Sequence, residues 1–240
     1  MKNYFLAWAI LMLLVSFTEA SAISDEKNVV ATLERFDGLI KVLPNGSIKR
    51  TKAKEHQKLY GGDMVLSYRG AHAIVILADG SKVILDESAS MRFSLNEVEQ
   101  KSGAVYYEIH HRNAKHALKV KTEFAIIGIK GTTFIINAND QKESVALQEG
   151  NIEVKSPEAA YRLYRDKVNA DFEAYKNKQN QGFEAYKNRQ NEKVESYVQA
   201  FEMQAGKIVS FKGSVADESD FDANITAKFE RFKRIQASFN

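Results

Sequence analysis

A change of backbone period near Pro157 divides this sequence into two halves. From Val29 to Val154, short runs of Val, Ile, Leu and Tyr alternate with polar residues and are separated by glycine-containing turns. Alternation with a period of two predicts half-buried β-strands. At 156–158, the sequence Ser-Pro-Glu has the pattern of an N-cap, a first helical residue and an acidic first turn. We therefore predict a β domain over residues 29–155, followed by a helical region.

An 11-residue repeat follows the expected helix start and fills residues 161–204. Its units are YRLYRDKVNAD, FEAYKNKQNQG, FEAYKNRQNEK and VESYVQAFEMQ. Eleven residues make three helical turns of about 3.67 residues, so the first, fourth and eighth positions of each unit share one face. This predicts a long helix over residues 157–205. The aromatic stripe along that helix would include Tyr164, Phe172, Tyr175, Phe183, Tyr186, Tyr197 and Phe201.

A last amphipathic segment, DESDFDANITAKFERFKRIQASF, predicts a second helix over residues 217–238. Its acidic residues come first and its basic residues come late, as the helix dipole prefers. We expect its apolar face to pack against the long helix in an antiparallel hairpin, while a coiled coil between chains is the other packing open to the stripe. That apolar face consists of Phe221, Ile225, Phe229, Phe232 and, less regularly, Ile235 and Phe239.

Turn residues recur through the β half at loosely regular intervals. Glycine suits turns that need a positive φ, and aspartate suits turns in which a side chain accepts backbone hydrogen bonds. Such spacing predicts stacked β units coiled like a solenoid, with a compact sandwich or barrel as the alternative. The turn residues singled out are Gly62, Asp63, Asp79, Gly80 and Gly150.

The N-terminus predicts export to the periplasm. Residues 1–22 contain one lysine, an apolar run and small residues around Ser21, which is the pattern of a signal peptide cut after Ala22. The apolar run is shorter than the roughly 20 residues that span a bilayer, so we expect no transmembrane span after cleavage. The chain has no cysteine, which excludes disulfides, thiolate ligands and a lipid-modified cysteine.

No residue pattern points to catalysis, a metal or a cofactor. His110 and His111 are neighbours on a predicted strand and therefore point to opposite faces. Asp63, Asp79 and Asp86 could be grouped as a carboxylate cluster, but turn chemistry explains the first two. No nucleophile elbow, phosphate-binding loop or zinc-protease motif occurs. Because none of these patterns is present, we expect a non-enzymatic protein. A net charge of +3 does not favour nucleic acid as a partner.

The aromatic stripe suggests three kinds of partner. Self-association, or contact with another envelope protein, would bury the rings in a packing seam. Aromatic faces also stack on sugar rings, so peptidoglycan or another glycan is an alternative ligand. Binding to a membrane surface is disfavoured, because the polar face mixes acids, amides and bases instead of being rich in lysine.

Four segments carry a family resemblance, in this order: GGDMVLSYRGAHAIVILADGSKVIL at 61–85, SGAVYYEI, LKVKTEFAIIGIKGTTFIIN and VALQEGNIEV. Over roughly residues 35–155 the chain resembles the FecR domain, a periplasmic module named for a regulator of ferric citrate transport. The resemblance implies an all-β, solenoid-like domain without catalytic residues, used for protein interaction or envelope sensing. The family hallmark corresponds here to Gly128, Lys130, Gly131, Thr132 and Phe134, with lysine where the family commonly has arginine.

The hallmark glycines invite a structural interpretation. We expect Gly128 and Gly131 to let the backbone turn a tight corner between stacked sheets. The regulators of this family carry a cytoplasmic segment that holds a sigma factor, followed by one membrane span. Because only residues 1–22 precede the expected mature start, we do not expect anti-sigma activity. A periplasmic accessory role in cell-surface signalling is a further alternative.

Overall fold

The computed structural model describes residues 28–110, 118–129, 131–139, 143–166 and 193–239. Among these residues, no helix is long and apolar enough to cross a bilayer. Several residues named above lie outside the described ranges. They are the expected signal peptide, His111, the hallmark residue Lys130, and Phe172, Tyr175, Phe183 and Tyr186 of the predicted stripe.

The described ranges contain nineteen β-strands and one C-terminal helix. The strands are β1 (Val29–Asp37), β2 (Ile40–Leu43), β3 (Thr51–Lys52), β4 (Gln57–Tyr60), β5 (Met64–Ser67), β6 (His72–Leu77), β7 (Lys82–Leu85), β8 (Ser90–Ser94), β9 (Glu97–Ile109), β10 (Leu118–Lys121), β11 (Ile126–Ile129), β12 (Thr132–Ala138), β13 (Ser144–Glu149), β14 (Asn151–Lys155), β15 (Tyr161–Asp166), β16 (Lys193–Val198), β17 (Ala200–Gln204), β18 (Lys207–Lys212) and β19 (Val215–Asp220). The helix is α1 (Ala223–Ser238).

The strands form one continuous hydrogen-bonded sheet that folds into two layers. The first layer has the order β4-β1-β6-β7-β9-β12-β13-β18-β19-β15-β16. The second layer has the order β3-β2-β5-β8-β9-β10-β11-β14-β17. Strand β9 belongs to both layers and changes from one to the other at Gly103, where φ is +84°. A Cβ there would lie 2.4 Å from the Cα of Ala89, so the crossing requires glycine.

An apolar core fills the space between the two layers. Strand alternation places it there: in β11, Ile127 and Ile129 are buried, whereas Ile126 and Gly128 face outward. At one end the core is closed by aromatic rings whose centroids lie 4.9–5.9 Å apart. These rings belong to Phe124, Tyr161, Phe201 and Phe211.

Helix α1 packs on the outer face of the first layer. Its N-cap is Asp222, whose side chain accepts a hydrogen bond of 2.8 Å from the backbone N–H of Ile225. Phe229 and Phe232 are buried against Tyr106, with ring centroids 6.2 Å and 5.6 Å from the tyrosine ring. The apolar face indicated by the sequence is the face that packs, but it packs on a sheet and not on another helix.

The expectation of a solenoid-like domain is wrong, because the strands form a large mixed sheet. Strand β1 lies between β4 and β6, and β13 pairs with the distant β18, so successive units do not stack as equivalent coils. The loosely regular spacing of the turns reflects mostly short strands joined by tight connections. That spacing is the same in hairpins and in coils, so it could not distinguish them.

The expectation of a long helix over residues 157–205, in a helical hairpin or coiled coil, is also wrong. Strands β15, β16 and β17 occupy the described parts of that range, and β19 occupies the first residues of the segment 217–238. Tyr161 and Leu163 are buried in β15 while Arg162 is exposed, which is the alternation of a strand. Burial of these side chains in the core decides the local structure in favour of strands. The central repeat units, at 167–192, lie outside the described residues.

Candidate functional site

A groove crosses the outer face of the second layer at the family hallmark. Its volume is about 730 Å³. Strand β11 forms the middle of its floor, with β10 on one side and β14 and β17 on the other. No described element lies over this face, in contrast to the outer face of the first layer, which α1 covers. The groove is lined principally by Gly128, Gly131, Gly150, Lys119, Glu153 and Lys155.

The three glycines of the groove differ in what the backbone requires of them. Gly131 and Gly150 have φ values of +146° and +85°, which L-residues rarely adopt. A Cβ on Gly150 would also lie 2.6 Å from the carbonyl oxygen of Gly131. Gly128, in contrast, lies inside the regular strand β11, where an added Cβ would meet only Glu153 Oε2, at 3.8 Å. The strand conformation therefore accepts a residue with a Cβ at Gly128. Because glycine has no side chain, the groove is open at this position.

Gly128 interrupts a row of charged side chains that crosses the second layer. The cross-strand register places Glu97 opposite Lys119, Lys119 opposite Gly128, Gly128 opposite Glu153, and Glu153 opposite Glu202. The glycine is thus a gap between a cation on one side and two carboxylates on the other. Among the described residues, only Glu153 Oε2 lies within 4 Å of the position that a Cβ at Gly128 would take, so the gap is open to a side chain of a binding partner.

Ion pairs fix the charged residues on both sides of the gap. Lys121 Nζ lies 2.9 Å from Glu97 Oε2, and Lys155 Nζ lies 3.1 Å from Glu153 Oε2. No such pair fixes the carboxylate of Glu202 within the described ranges, although it faces Glu153 directly across the strands. Like charges at directly opposite positions destabilise a sheet. The arrangement therefore favours a cationic group next to Glu202.

Two further hallmark residues, Thr132 and Phe134, are buried in the core. Thr132 is buried, and its Oγ1 has no hydrogen-bond partner within the part of the chain that the structure describes. Phe134 is stacked on Tyr107, with ring centroids 4.6 Å apart and planes within 3°. The hydroxyl of Tyr107 donates a hydrogen bond of 2.7 Å to Gln100 Oε1, and burial raises the pKa of that hydroxyl well above its ordinary value. These residues support the floor of the groove and do not reach its surface.

The predicted turn residues are placed at turns, and all except Gly150 lie away from the groove. Gly62 and Gly80 have φ values of +92° and +84°. Asp63 is buried and accepts hydrogen bonds from two backbone N–H groups, those of Asn45 and Tyr60, at 2.8 Å and 2.9 Å. Asp79 accepts from the N–H and hydroxyl of Ser81, at 3.0 Å and 2.7 Å. These contacts hold the turns in place.

The described residues of the aromatic stripe do not share a face. Tyr164 and Tyr197 point outward from β15 and β16, next to Arg162 and Glu195. The hydroxyl of Tyr164 donates a hydrogen bond of 3.2 Å to Glu195 Oε2. Phe201 is buried in the core, so it is not available to a ligand.

A second group of polar residues, which the sequence did not connect, fixes α1 to the first layer. The guanidinium of Arg231 donates to both carboxylate oxygens of Asp86, one of them at 2.8 Å. His72 Nδ1 lies 3.2 Å from the same carboxylate. Asp86 is buried and anchors the helix, so it does not form a catalytic cluster with Asp63 and Asp79. Because 145 residues separate Asp86 from Arg231, sequence spacing gave no signal for this contact.

The sequence pattern also did not identify Lys119, Glu153 and Lys155 as neighbours that line the groove. The alternating segments LKVK and NIEVK indicated that these charges face outward. They did not indicate which charges are neighbours, because that depends on the pairing of β10, β11 and β14.

Comparison with known proteins places part of the groove, including Gly128, Gly131 and Gly150, in a segment that matches a family model. Residues 63–153 match the family model described as FecR protein, which confirms the resemblance over that range. Two crystal structures of a protein of Parabacteroides distasonis ATCC 8503, provisionally described as an anti-sigma factor, align with part of this chain at 16% sequence identity. One has a TM-score of 0.48 over 69% of this chain and 63% of that chain. The other has a TM-score of 0.45 over 67% and 61%. This chain thus spans less than two thirds of either protein, and no curated protein matches it.

Proposed function

Because residues 63–153 form a FecR-family segment, we propose that this chain is a non-enzymatic protein of the cell envelope that acts in cell-surface signalling by binding another protein. The observation that carries the proposal is the gap at Gly128. It lies in the family hallmark, at a position where the fold does not itself require glycine. Export by a signal peptide cleaved after Ala22 is part of the same proposal.

The arrangement of the two layers supports binding through the second layer. The outer face of the first layer is occupied by α1, which buries Phe229 and Phe232 on it. The outer face of the second layer is open across the described residues, and a row of charged side chains crosses it at Glu97, Lys119, Glu153 and Glu202. Charged rows of this kind select a partner and fix its register more than they add affinity.

The charges around the gap indicate the chemistry of the partner. Glu153 and Glu202 lie on one side, and only Glu153 has a nearby lysine, Lys155, at 3.1 Å. A lysine or arginine of the partner that lies over β14, between Glu153 and Glu202, would be beside both carboxylates and reduce their mutual repulsion. We therefore expect a protein segment that inserts a basic side chain into the groove.

The composition of the groove supports binding over catalysis. Among the described residues, its polar lining consists of lysines, glutamates and one asparagine, without histidine, serine or cysteine. In the described part of the chain, no three metal-ligating side chains come together. General acid–base chemistry would need a titratable group positioned toward a reacting centre, and here Glu153 is held by an ion pair.

Site-specific photo-crosslinking in cells tests the proposal. A photoreactive amino acid at Lys119, in the groove, is compared with the same amino acid at Lys212, an exposed residue of β18 in the other layer. We expect Lys119 alone to capture an outer-membrane receptor or an inner-membrane regulator, identified by mass spectrometry. Adding Gly128→Tyr should abolish capture, because the phenol ring fills the gap while the strand conformation accepts it.

Ser94→Tyr is the matched control, since Ser94 is exposed at the end of β8 in the same layer. This variant should leave capture unchanged, and both tyrosine variants should melt at the temperature of the unsubstituted protein. Undiminished capture in the Gly128→Tyr background would show that the groove is not the binding surface.

A further inference from the structure

Strand β16 forms an open edge of the first layer. It pairs with β15 through six consecutive residues without a bulge, from Asp166 opposite Lys193 to Tyr161 opposite Val198. No other described strand pairs with it. The unpaired edge of such a strand presents backbone N–H and C=O groups that can template another strand.

The other three edges of the two layers are poor templates. Strand β3 has two residues, and β4 has four and directly follows His56, a residue with φ of +55°. Strand β17 carries Glu202 at its centre, so pairing of two copies about that residue would bring two carboxylates together. Short strands, irregular backbone and central charge are the usual protections of an edge. Strand β16 has none of the three, since its one central charge, Glu195, is engaged by Tyr164 and Arg162.

We propose that β16 pairs with β16 of a second copy of this chain, antiparallel about a two-fold axis at Ser196. Residues directly opposite each other in a sheet point to the same face. For the core-facing side chains of both copies to lie on the same side of the joined sheet, one residue must therefore pair with the same residue of the other copy. An axis at Glu195 would oppose two carboxylates. An axis at Tyr197 would pair Glu195 with Gln199, which lies beyond the strand. The axis at Ser196 pairs five residues, 194–198, all within β16.

This register repeats a contact that the chain already makes. Within one chain, Tyr164 lies directly opposite Glu195 and donates a hydrogen bond to its carboxylate at 3.2 Å. In the paired form, Tyr197 of one copy lies directly opposite Glu195 of the other, and the symmetry produces this pair twice. Tyr197 is 71% exposed in the single chain, so its ring is available for that contact. The pairing is independent of the groove on the second layer and of the function proposed for it.

Disulfide trapping of the full-length purified protein tests the pairing directly. The chain contains no cysteine, so Ser196→Cys introduces a single thiol. Residues opposite each other in an antiparallel pair have Cα atoms about 4.5–5.5 Å apart, within the span of about 4.4–6.8 Å that a disulfide bridges. We expect mild oxidation to give a covalent dimer of Ser196→Cys on non-reducing gels. Ser94→Cys, an exposed thiol in the second layer, should give far less.

Sedimentation equilibrium provides the second measurement. The unsubstituted protein should sediment as a dimer. Ser196→Lys should sediment as a monomer that keeps the far-ultraviolet circular dichroism spectrum of the unsubstituted protein, because two ammonium groups would meet at the axis. Ser94→Lys should remain dimeric. A monomeric unsubstituted protein overturns the proposal, as does a dimer that persists in Ser196→Lys or an equal yield of disulfide from both cysteine variants.

Discussion

Replacing Gly150 with alanine tests how the hallmark region is packed. An L-residue at φ of +85° costs about 1–2 kcal/mol in backbone strain. The new Cβ would lie 2.6 Å from the carbonyl oxygen of Gly131 and 2.7 Å from Thr132 Cγ2, and relieving such contacts costs about 1–3 kcal/mol. Reduced entropy of the unfolded chain returns about 0.4–1 kcal/mol. We therefore expect Gly150→Ala to lower the free energy of unfolding by about 1–5 kcal/mol.

Gly128→Ala is the matched control, because the same methyl group is added to the same groove at an ordinary strand conformation. Its Cβ contacts only Glu153 Oε2, at 3.8 Å, so we expect unchanged stability or a gain of up to about 1 kcal/mol. Urea denaturation followed by far-ultraviolet circular dichroism measures both variants. Equal unfolding midpoints for the two variants would show that the fold does not need glycine at position 150 more than at position 128.

Two further predictions concern the packing of α1 on the first layer. Phe232→Ala removes a buried ring stacked on Tyr106 and should lower the free energy of unfolding by about 3–5 kcal/mol in urea titrations; a loss below about 1 kcal/mol would contradict the docking of the helix. Burial, with Glu108 and Glu149, raises the pKa of Tyr106 to about 12. The neutral tyrosine is thus the form that stabilises the fold, and this stability is complete below pH 10 and lost between about pH 10 and 12. Tyr106→Phe should reduce that loss in melting curves recorded across this pH range, and an identical alkaline loss in the variant would contradict the assignment.

Local sequence patterns predicted strands well where burial and alternation agree. In β11, the sequence IIGI alternates inward isoleucines with an outward isoleucine and the outward glycine, as the structure shows. The apolar face of α1 was likewise visible from the helical spacing of Ile225, Phe229 and Phe232. The start of α1 was placed too early, because Asp217 and Asp220 belong to β19 and the cap is Asp222.

The prediction of a helix from the repeat was wrong because the first repeat unit fits both the helical period and the strand period. Tyr161 and Tyr164 share a face at helical spacing, yet Tyr161 and Leu163 share a face at strand spacing. The sequence alone could not decide between the helical and the strand period. The strand is favoured because Tyr161 is buried against Phe124, Phe201 and the rest of a core formed by strands that are distant in the sequence. The groove was hidden for a related reason, because neighbours such as Lys119 and Glu153 are set by strand register and not by spacing along the chain.

The strand shared by both layers has a mechanical consequence. Because β9 runs unbroken for thirteen residues from one layer into the other, the layers are joined by covalent backbone as well as by side-chain packing. A force applied to one layer is therefore transmitted to the other along β9. Separating the layers would require breaking the hydrogen bonds that β9 makes in both of them. A ligand pulling on the open face would be resisted by the whole sheet rather than by the few strands it touches.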